Sequence, residues 1–292
     1  MGVLAGGALA QLSGGSTLTT TKLADNFQLI SGAGSNVLVV KQPEGVLLVD
    51  GGLAQNSAEL LKAVAGVSEA GRIQALFNTH WHVEHTGSND AIAKTGARII
   101  AHENTKLWMG AEIISMWEKK TYQPRPKEAR PNTTFYTTGK MTFGKEEVQY
   151  GYLGQAHTDG DIYVFFPGPN ILMAGDVFSA GSYPILDYTT GGWIGGMSDG
   201  CKTLAGVGDA QTRVIPGIGP VQTKADLQAQ SDMCATMRTR FVEMMRKGMS
   251  AKEMFNAKPT KEFDERWGDP QLFIYNAYPG LRDHVREIGG IV

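Results

Sequence analysis

The sequence predicts an α/β protein whose strands end on polar, chemistry-bearing turns. Three observations predict it. Apolar runs of strand length recur, such as Gly45–Val46–Leu47–Leu48–Val49 and Ile73–Gln74–Ala75–Leu76–Phe77. Stretches with helical spacing, stopped by glycine, separate these runs and give the alternation of strand and helix expected of such a domain. Third, Thr79–His80–Trp81–His82–Val83–Glu84–His85–Thr86–Gly87 directly follows one strand and holds three of the chain's six histidines. Imidazoles this dense, on a loop with little freedom and with a carboxylate among them, suit a divalent metal of borderline softness.

The bulk properties narrow the classes. At 292 residues the chain is long enough to bury a sizeable core. A net charge of −2 and a pI near 6.3 leave no electrostatic footprint for nucleic acid. No apolar run is long enough to span a bilayer. Cys201 and Cys234 lack any zinc-binding spacing and read as two partly buried free thiols. Residues 1–21 read as a flexible lead-in, and 22–292 as one domain. Ala8-Leu9-Ala10 before Gln11 resembles a signal-peptidase site without a basic leader, so an exported or periplasmic protein is favoured slightly over a cytoplasmic one. Oligomeric state is left open.

Taken in order, the first strands are Phe27–Ile30, Asn36–Val40 and Gly45–Val49, with Pro43-Glu44-Gly45 turning between the last two. Asp50 ends the third strand. It is either an ordinary turn former or a group that orients a ligand histidine. Asn56-Ser57-Ala58-Glu59 reads as a capping box for a helix that carries Leu60, Leu61 and Val64. After the histidine motif come a short helix from about Asn89 to Lys94 and a strand over Ala97–Ala101. His102 reads as a hydrogen-bonding residue at a helix start. Leu107, Trp108, Ile113, Ile114, Met116 and Trp117 place a helix over about 104–117, with core packing preferred to a cleft wall.

The second half repeats the scheme. Val148, Tyr150 and Tyr152 alternate toward Gly154–Gln155–Ala156–His157–Thr158, and a hairpin around Gly168-Pro169-Asn170 ends in Gly175-Asp176. A helix near Lys202–Val207 and the strand Arg213–Ile215 lead to Pro216–Gly217–Ile218–Gly219–Pro220. A long helix covers about Lys224–Lys247, Ser250-Ala251-Lys252-Glu253 caps another, and the tail is helical.

His-x-His-x-Glu-His at His80–His85, Gly-x-Ala-His-Thr at 154–158, Gly175-Asp176 and the late Pro-Gly-x-Gly-Pro occur in one order. Together they resemble the metallo-β-lactamase-fold hydrolase superfamily. The resemblance implies a four-layer αββα sandwich with extra C-terminal helices. It implies that His80, His82 and His157 hold a first zinc, and that Glu84, His85 and the bridging Asp176 belong to a second. Asp50 then supports the ligands, and Glu84 or Asp176 assists catalysis. The implied activity is hydrolysis of a small-molecule ester, thioester, lactone or lactam by zinc-activated hydroxide. Asp176 disfavours a dedicated β-lactamase, and a non-catalytic metal- or ligand-binding member is the alternative.

Two departures fall on the second site. Glu84 stands where the family usually has Asp, which moves the carboxylate by roughly 1.5 Å. Ile218 stands where the family has a histidine ligand, and it cannot ligate. One tightly held zinc is therefore expected, with a weakened second position.

Overall fold

The computed structural model describes residues 17–68 and 72–284. The N-terminal apolar stretch with its signal-like features lies outside them. The first half runs β1 (Thr19–Ala24), β2 (Phe27–Ser31), β3 (Val37–Gln42), β4 (Gly45–Val49), α1 (Ser57–Val67), β5 (Ile73–Phe77), α2 (Val83–Thr86), α3 (Asn89–Ala93), β6 (Arg98–His102), α4 (Glu103–Met109), the hairpin β7 (Ile113–Ser115) and β8 (Lys120–Tyr122), and β9 (Thr133–Phe135). The second half runs β10 (Thr138–Phe143), β11 (Glu146–Tyr152), β12 (Ile162–Phe166), β13 (Ile171–Gly175), α5 (Ile194–Ala205), β14 (Arg213–Pro216), α6 (Lys224–Arg246), α7 (Ala251–Asn256), α8 (Asp264–Trp267) and α9 (Gln271–Asp283).

These strands form a seven-stranded sheet ordered β1-β2-β3-β4-β5-β6-β9 and a five-stranded sheet ordered β10-β11-β12-β13-β14. Period-two alternation explains how they stack. Leu38, Val40, Leu47 and Val49 point inward and meet Val148, Val164, Phe166 and Met173 of the second sheet. Their neighbours Val39 and Leu48 point the other way, onto Leu60 and Val64 of α1 and Ile92 of α3. On the far side, Phe165, Leu172 and Val214 pack against Met197, Leu227, Met237 and Phe241 of α5 and α6. Three apolar layers between four structural layers make the αββα sandwich.

Several expectations are corrected. Thr19–Ala24, which overlaps the end of the expected lead-in, is an edge strand antiparallel to β2. Its exposed Thr-rich sequence carries no apolar alternation, so pattern reading misses it. Asn56 forms no capping bond at α1. Its amide donates to the Ala33 carbonyl at 2.9 Å, a tertiary contact that wins over the local one. The helix expected over 104–117 ends at Met109, with Gly110 as its C-cap. The β-branched pair Ile113–Ile114 then enters a hairpin, with Ile114 opposite Thr121. Leu107, Ile114 and Met116 are exposed; of the six residues expected in the core, Ile113 is buried and the partly buried Trp108 packs against the same cluster. The helix expected near Lys202–Val207 begins earlier, at Ile194.

The long helix and the Ser250–Glu253 capping box are present, and the expected helical tail is seen as far as Asp283; residues 285–292 lie outside the described ones. Cys201 and Cys234 are free and fully buried. His102 caps α4, accepting from the Asn104 N–H at 3.2 Å and stacking on Tyr152.

Candidate metal centre

Every candidate residue lies just beyond a strand, along one edge of the two sheets. β5 delivers His80 and His82, the short α2 carries Glu84 and His85, β11 leads to His157, and β13 leads to Asp176. One nitrogen of each imidazole is engaged on the outer side. His80 Nδ1 lies 3.1 Å from Thr79 Oγ1, which itself donates to Asp50 Oδ2 at 2.9 Å. His82 Nε2 donates to Asp187 Oδ2 at 3.1 Å, His85 Nδ1 to Asp50 Oδ2 at 2.9 Å, and His157 Nδ1 to the Ile185 carbonyl at 2.8 Å. Carboxylates and carbonyls only accept, so these bonds place a proton on the outer nitrogen and turn the other nitrogen inward, where a metal ion can take the place of a second proton.

The inward atoms converge. Ligand atoms of His80, His82, His157 and Asp176 all lie within 4.8 Å of one another, as do those of Glu84, His85 and Asp176. The Nε2 atoms of His80 and His85 are buried without any hydrogen-bond partner. Buried polar atoms are nearly always satisfied. Two orphaned imidazole nitrogens pointing into a ring of carboxylates and imidazoles therefore fit a metal ion. The cluster can bind metal, and Asp176 belongs to both groups: its Oδ2 lies 3.9 Å from His80 Nε2 and its Oδ1 3.3 Å from His85 Nε2.

Asp50 adopts a left-handed backbone, φ 64°, at the end of β4. A non-glycine residue rarely takes this region. Here it turns the carboxylate under the cluster, where Asp50 also accepts from the Thr79 N–H at 2.8 Å. Asp50 is thus more than a turn former: it touches both His85 and the Thr79 that meets His80.

Charge within the cluster is arranged unevenly. Burial, reinforced by the neighbouring His85, His157 and His82, holds the pKa of His80 well below its ordinary value. For His82 burial acts the same way, but hydrogen bonds with Asp187 and Glu84 outweigh it and raise the pKa to about 10. Burial is likewise outweighed at His85, by Asp176 and Asp50, and its pKa rises. Burial pushes Asp176 up, yet His85 pulls it below the usual carboxylate range. The carboxylates favour positive charge at this edge, whether a proton or a metal ion brings it.

The two departures sit as follows. Glu84 reaches the cluster, with Oε1 3.5 Å from His82 Nδ1. Ile218 is 42% exposed and contributes no ligand atom. Its neighbour Gly217 presses on the site: a Cβ there would lie 1.8 Å from Asp176 Oδ1.

Asp187 escaped the sequence reading. It lies in the loop between β13 and α5, before a 3-10 turn at Tyr188–Thr190, and no motif marks it. Its Oδ2 takes the His82 bond and a 2.6 Å bond from Thr190 Oγ1; its Oδ1 takes a 2.9 Å bond from the Trp117 indole. Burial pushes its pKa up, but the His82 bond prevails and lowers it to about 2. The loop wraps tightly around His157, whose carbonyl would lie 2.1 Å from a Cβ on Gly192.

Fold and site together define an αββα protein with a buried His/Asp metal-binding cluster. The chain belongs to the metallo-beta-lactamase superfamily, whose family model matches residues 30–227. Most of the C-terminal helical segment lies beyond that match. A metallo-beta-lactamase type 2 from Bacillus sp. (strain 170) is 24% identical over 199 residues, 68% of this chain and 72% of that protein. The 2,4-dinitroanisole O-demethylase subunit alpha of Nocardioides sp. (strain JS1661) is 25% identical over 184 residues, 61% of this chain and 52% of that protein, so about half of the relative's length is matched. Among solved structures, a metallo-beta-lactamase from Pontibacter korlensis aligns with a TM-score of 0.61 at 18% identity, covering 75% of this chain and 99% of that one. The DIM-1 metallo-beta-lactamase aligns at 0.60 and 21%, covering 76% and 99%. At these identities the structures speak for the fold alone. Among the described residues no helix is long and apolar enough to cross a membrane.

Proposed function

We propose that this chain is a zinc-dependent hydrolase of small esters, thioesters, lactones or lactams. The observation that carries this reading is the set of inward nitrogens of His80, His82 and His157 meeting at Asp176. These four residues would hold the first ion, and Glu84, His85 and Asp176 would form the weaker second position. A bound zinc ion supplies Lewis acidity and a water whose pKa is lowered to about 7.

The chain's own groups do the rest. Asp176 and Glu84 carry carboxylate oxygens at the cluster, able to accept a hydrogen bond from the attacking water and to hold its proton. When the second position holds no ion, Glu84 is suited to act as a base, a role in which its longer side chain need not meet a ligand's distance tolerance. Asp50 and Asp187 keep the imidazoles oriented during turnover. The printed names of the curated relatives span a lactamase and an O-demethylase, so the family does not fix the scissile bond.

The exposed Ile218 favours a second reading, a metal- or ligand-binding protein without turnover. A panel of nitrocefin, lactones and thioesters, with and without added zinc, separates the two. Zinc-dependent turnover of any of them, abolished by His82→Ala, excludes the non-catalytic reading. Absence of turnover across the panel despite bound zinc overturns the hydrolase.

A further inference from the structure

The hairpin β7–β8 is a ten-residue excursion, Ile113 to Tyr122, that belongs to neither large sheet. A lone two-stranded hairpin has marginal stability of its own, so its position depends on what it touches. It touches the metal cluster's supports at two places. At its base, Ile113 and Met109 pack on Trp81, the residue between ligands His80 and His82, and the Tyr122 ring lies 5.1 Å from that of Trp81. At its tip, Met116–Lys119, the Trp117 indole donates to Asp187 Oδ1 at 2.9 Å.

The two contacts are linked by side chains. Trp81 Nε1 donates to Thr190 Oγ1 at 3.0 Å, and Thr190 Oγ1 donates to Asp187 Oδ2 at 2.6 Å. Oδ2 also receives His82 Nε2. Asp187 thus has Trp117 on one oxygen and His82 on the other. The terminal torsion of an aspartate is broad and soft, so donors on both oxygens are what set its plane. Removing the indole N–H leaves Oδ1 with only the longer 3.2 Å bond from the Thr189 N–H, while Oδ2 keeps Thr190 and His82.

We propose that Trp117 is a positioning residue: it latches the hairpin tip to Asp187 and through it orients His82 at the first metal position. The hairpin is then a lip whose seating and whose metal are coupled. Such coupling is reciprocal, so bound metal steadies the hairpin by the factor with which the seated hairpin tightens the metal. This rests on the metal-site part of the proposed function and not on any substrate.

The test uses the full chain and zinc alone. Trp117→Phe keeps the ring and removes the donor. Trp108→Phe is the control, because Trp108 Nε1 donates at 2.6 Å to Asp159, which is not bonded to any candidate ligand. Zinc affinity is measured by competition with a chelating dye, and amide exchange is followed over 113–122. The expected result is about a 10-fold loss of affinity in Trp117→Phe, at the lower end for partners of a ligand histidine, with none in Trp108→Phe. Zinc should slow hairpin exchange in the wild type but not in Trp117→Phe. Equal zinc affinity in wild type and Trp117→Phe, or hairpin exchange indifferent to zinc in the wild type, overturns the latch. A wild type that binds no zinc overturns the metal centre itself, a distinguishable failure.

Discussion

Asp50 Oδ2 accepts from His85 Nδ1 at 2.9 Å across 35 residues of sequence, and the same carboxylate holds the Thr79 hydroxyl that meets His80. One buried side chain therefore orients an imidazole of each metal group. Asp50→Asn tests this, since asparagine tolerates the left-handed backbone at φ 64° but loses an anionic acceptor. Metal affinity is expected to fall about 10–100-fold with the fold intact. A competition titration showing wild-type affinity would remove Asp50 from the site.

Ile218→His restores an imidazole where the second position lacks one. The variant is expected to hold more metal per chain than the wild type, which is expected to hold one tightly bound equivalent. Elemental analysis after dialysis reads the difference. Two tight equivalents in the wild type, or an unchanged count in the variant, contradict the unequal pair.

Gly217→Ala probes the wall behind Asp176. The added Cβ lies 1.8 Å from Asp176 Oδ1 and 2.7 Å from His85 Cε1, so the backbone or the carboxylate must shift. Overpacking of this kind costs about 1–3 kcal/mol. Thermal denaturation should show the loss, together with weaker metal at the Glu84–His85–Asp176 group. A variant that melts and loads metal like the wild type refutes the close approach.

Stripping the metal leaves His80 Nε2 and His85 Nε2 buried without partners. With free zinc about 100-fold above its dissociation constant, binding stabilises the native state by about 2.7 kcal/mol. A chelator should lower the melting temperature, and added zinc should restore it. A melting curve unaffected by chelator argues against a structural coupling of metal and fold.

Ser250→Ala serves as the distant counterpart. The Ser250–Glu253 capping box starts α7, away from the metal cluster. Its loss should cost about 1 kcal/mol, a shift of a few degrees in melting temperature. Metal affinity should stay at the wild-type value, and a change in it would mean that the C-terminal helices act on the site.

Much of this molecule is legible in the sequence because its strongest signals are local. Short continuous apolar runs mark β3, β4 and β12, apolar alternation marks β5 and β11, and capping chemistry marks α7. Dense histidines at a strand end mark the site. The errors share a cause: at Thr19–Ala24, Asn56 and Ile113–Trp117 the conformation is chosen by a partner elsewhere in the chain. β1 forms because β2 offers an edge, Asn56 turns to the Ala33 carbonyl, and the hairpin folds onto Trp81 and Asp187.

The sequence by itself determined the family resemblance, the strand ends that carry chemistry and the six residues offered to metal. Those depend on residue type and short spacing, which a single chain displays openly. Only the tertiary structure decided which side chains Asp50 touches, His85 and Thr79, that Asp187 meets His82, and that Trp117 reaches Asp187 from a hairpin. Orientation of an imidazole depends on a hydrogen bond with an angle and a distance. The partners that supply it come from separate segments, brought together only when the two sheets close on their shared core.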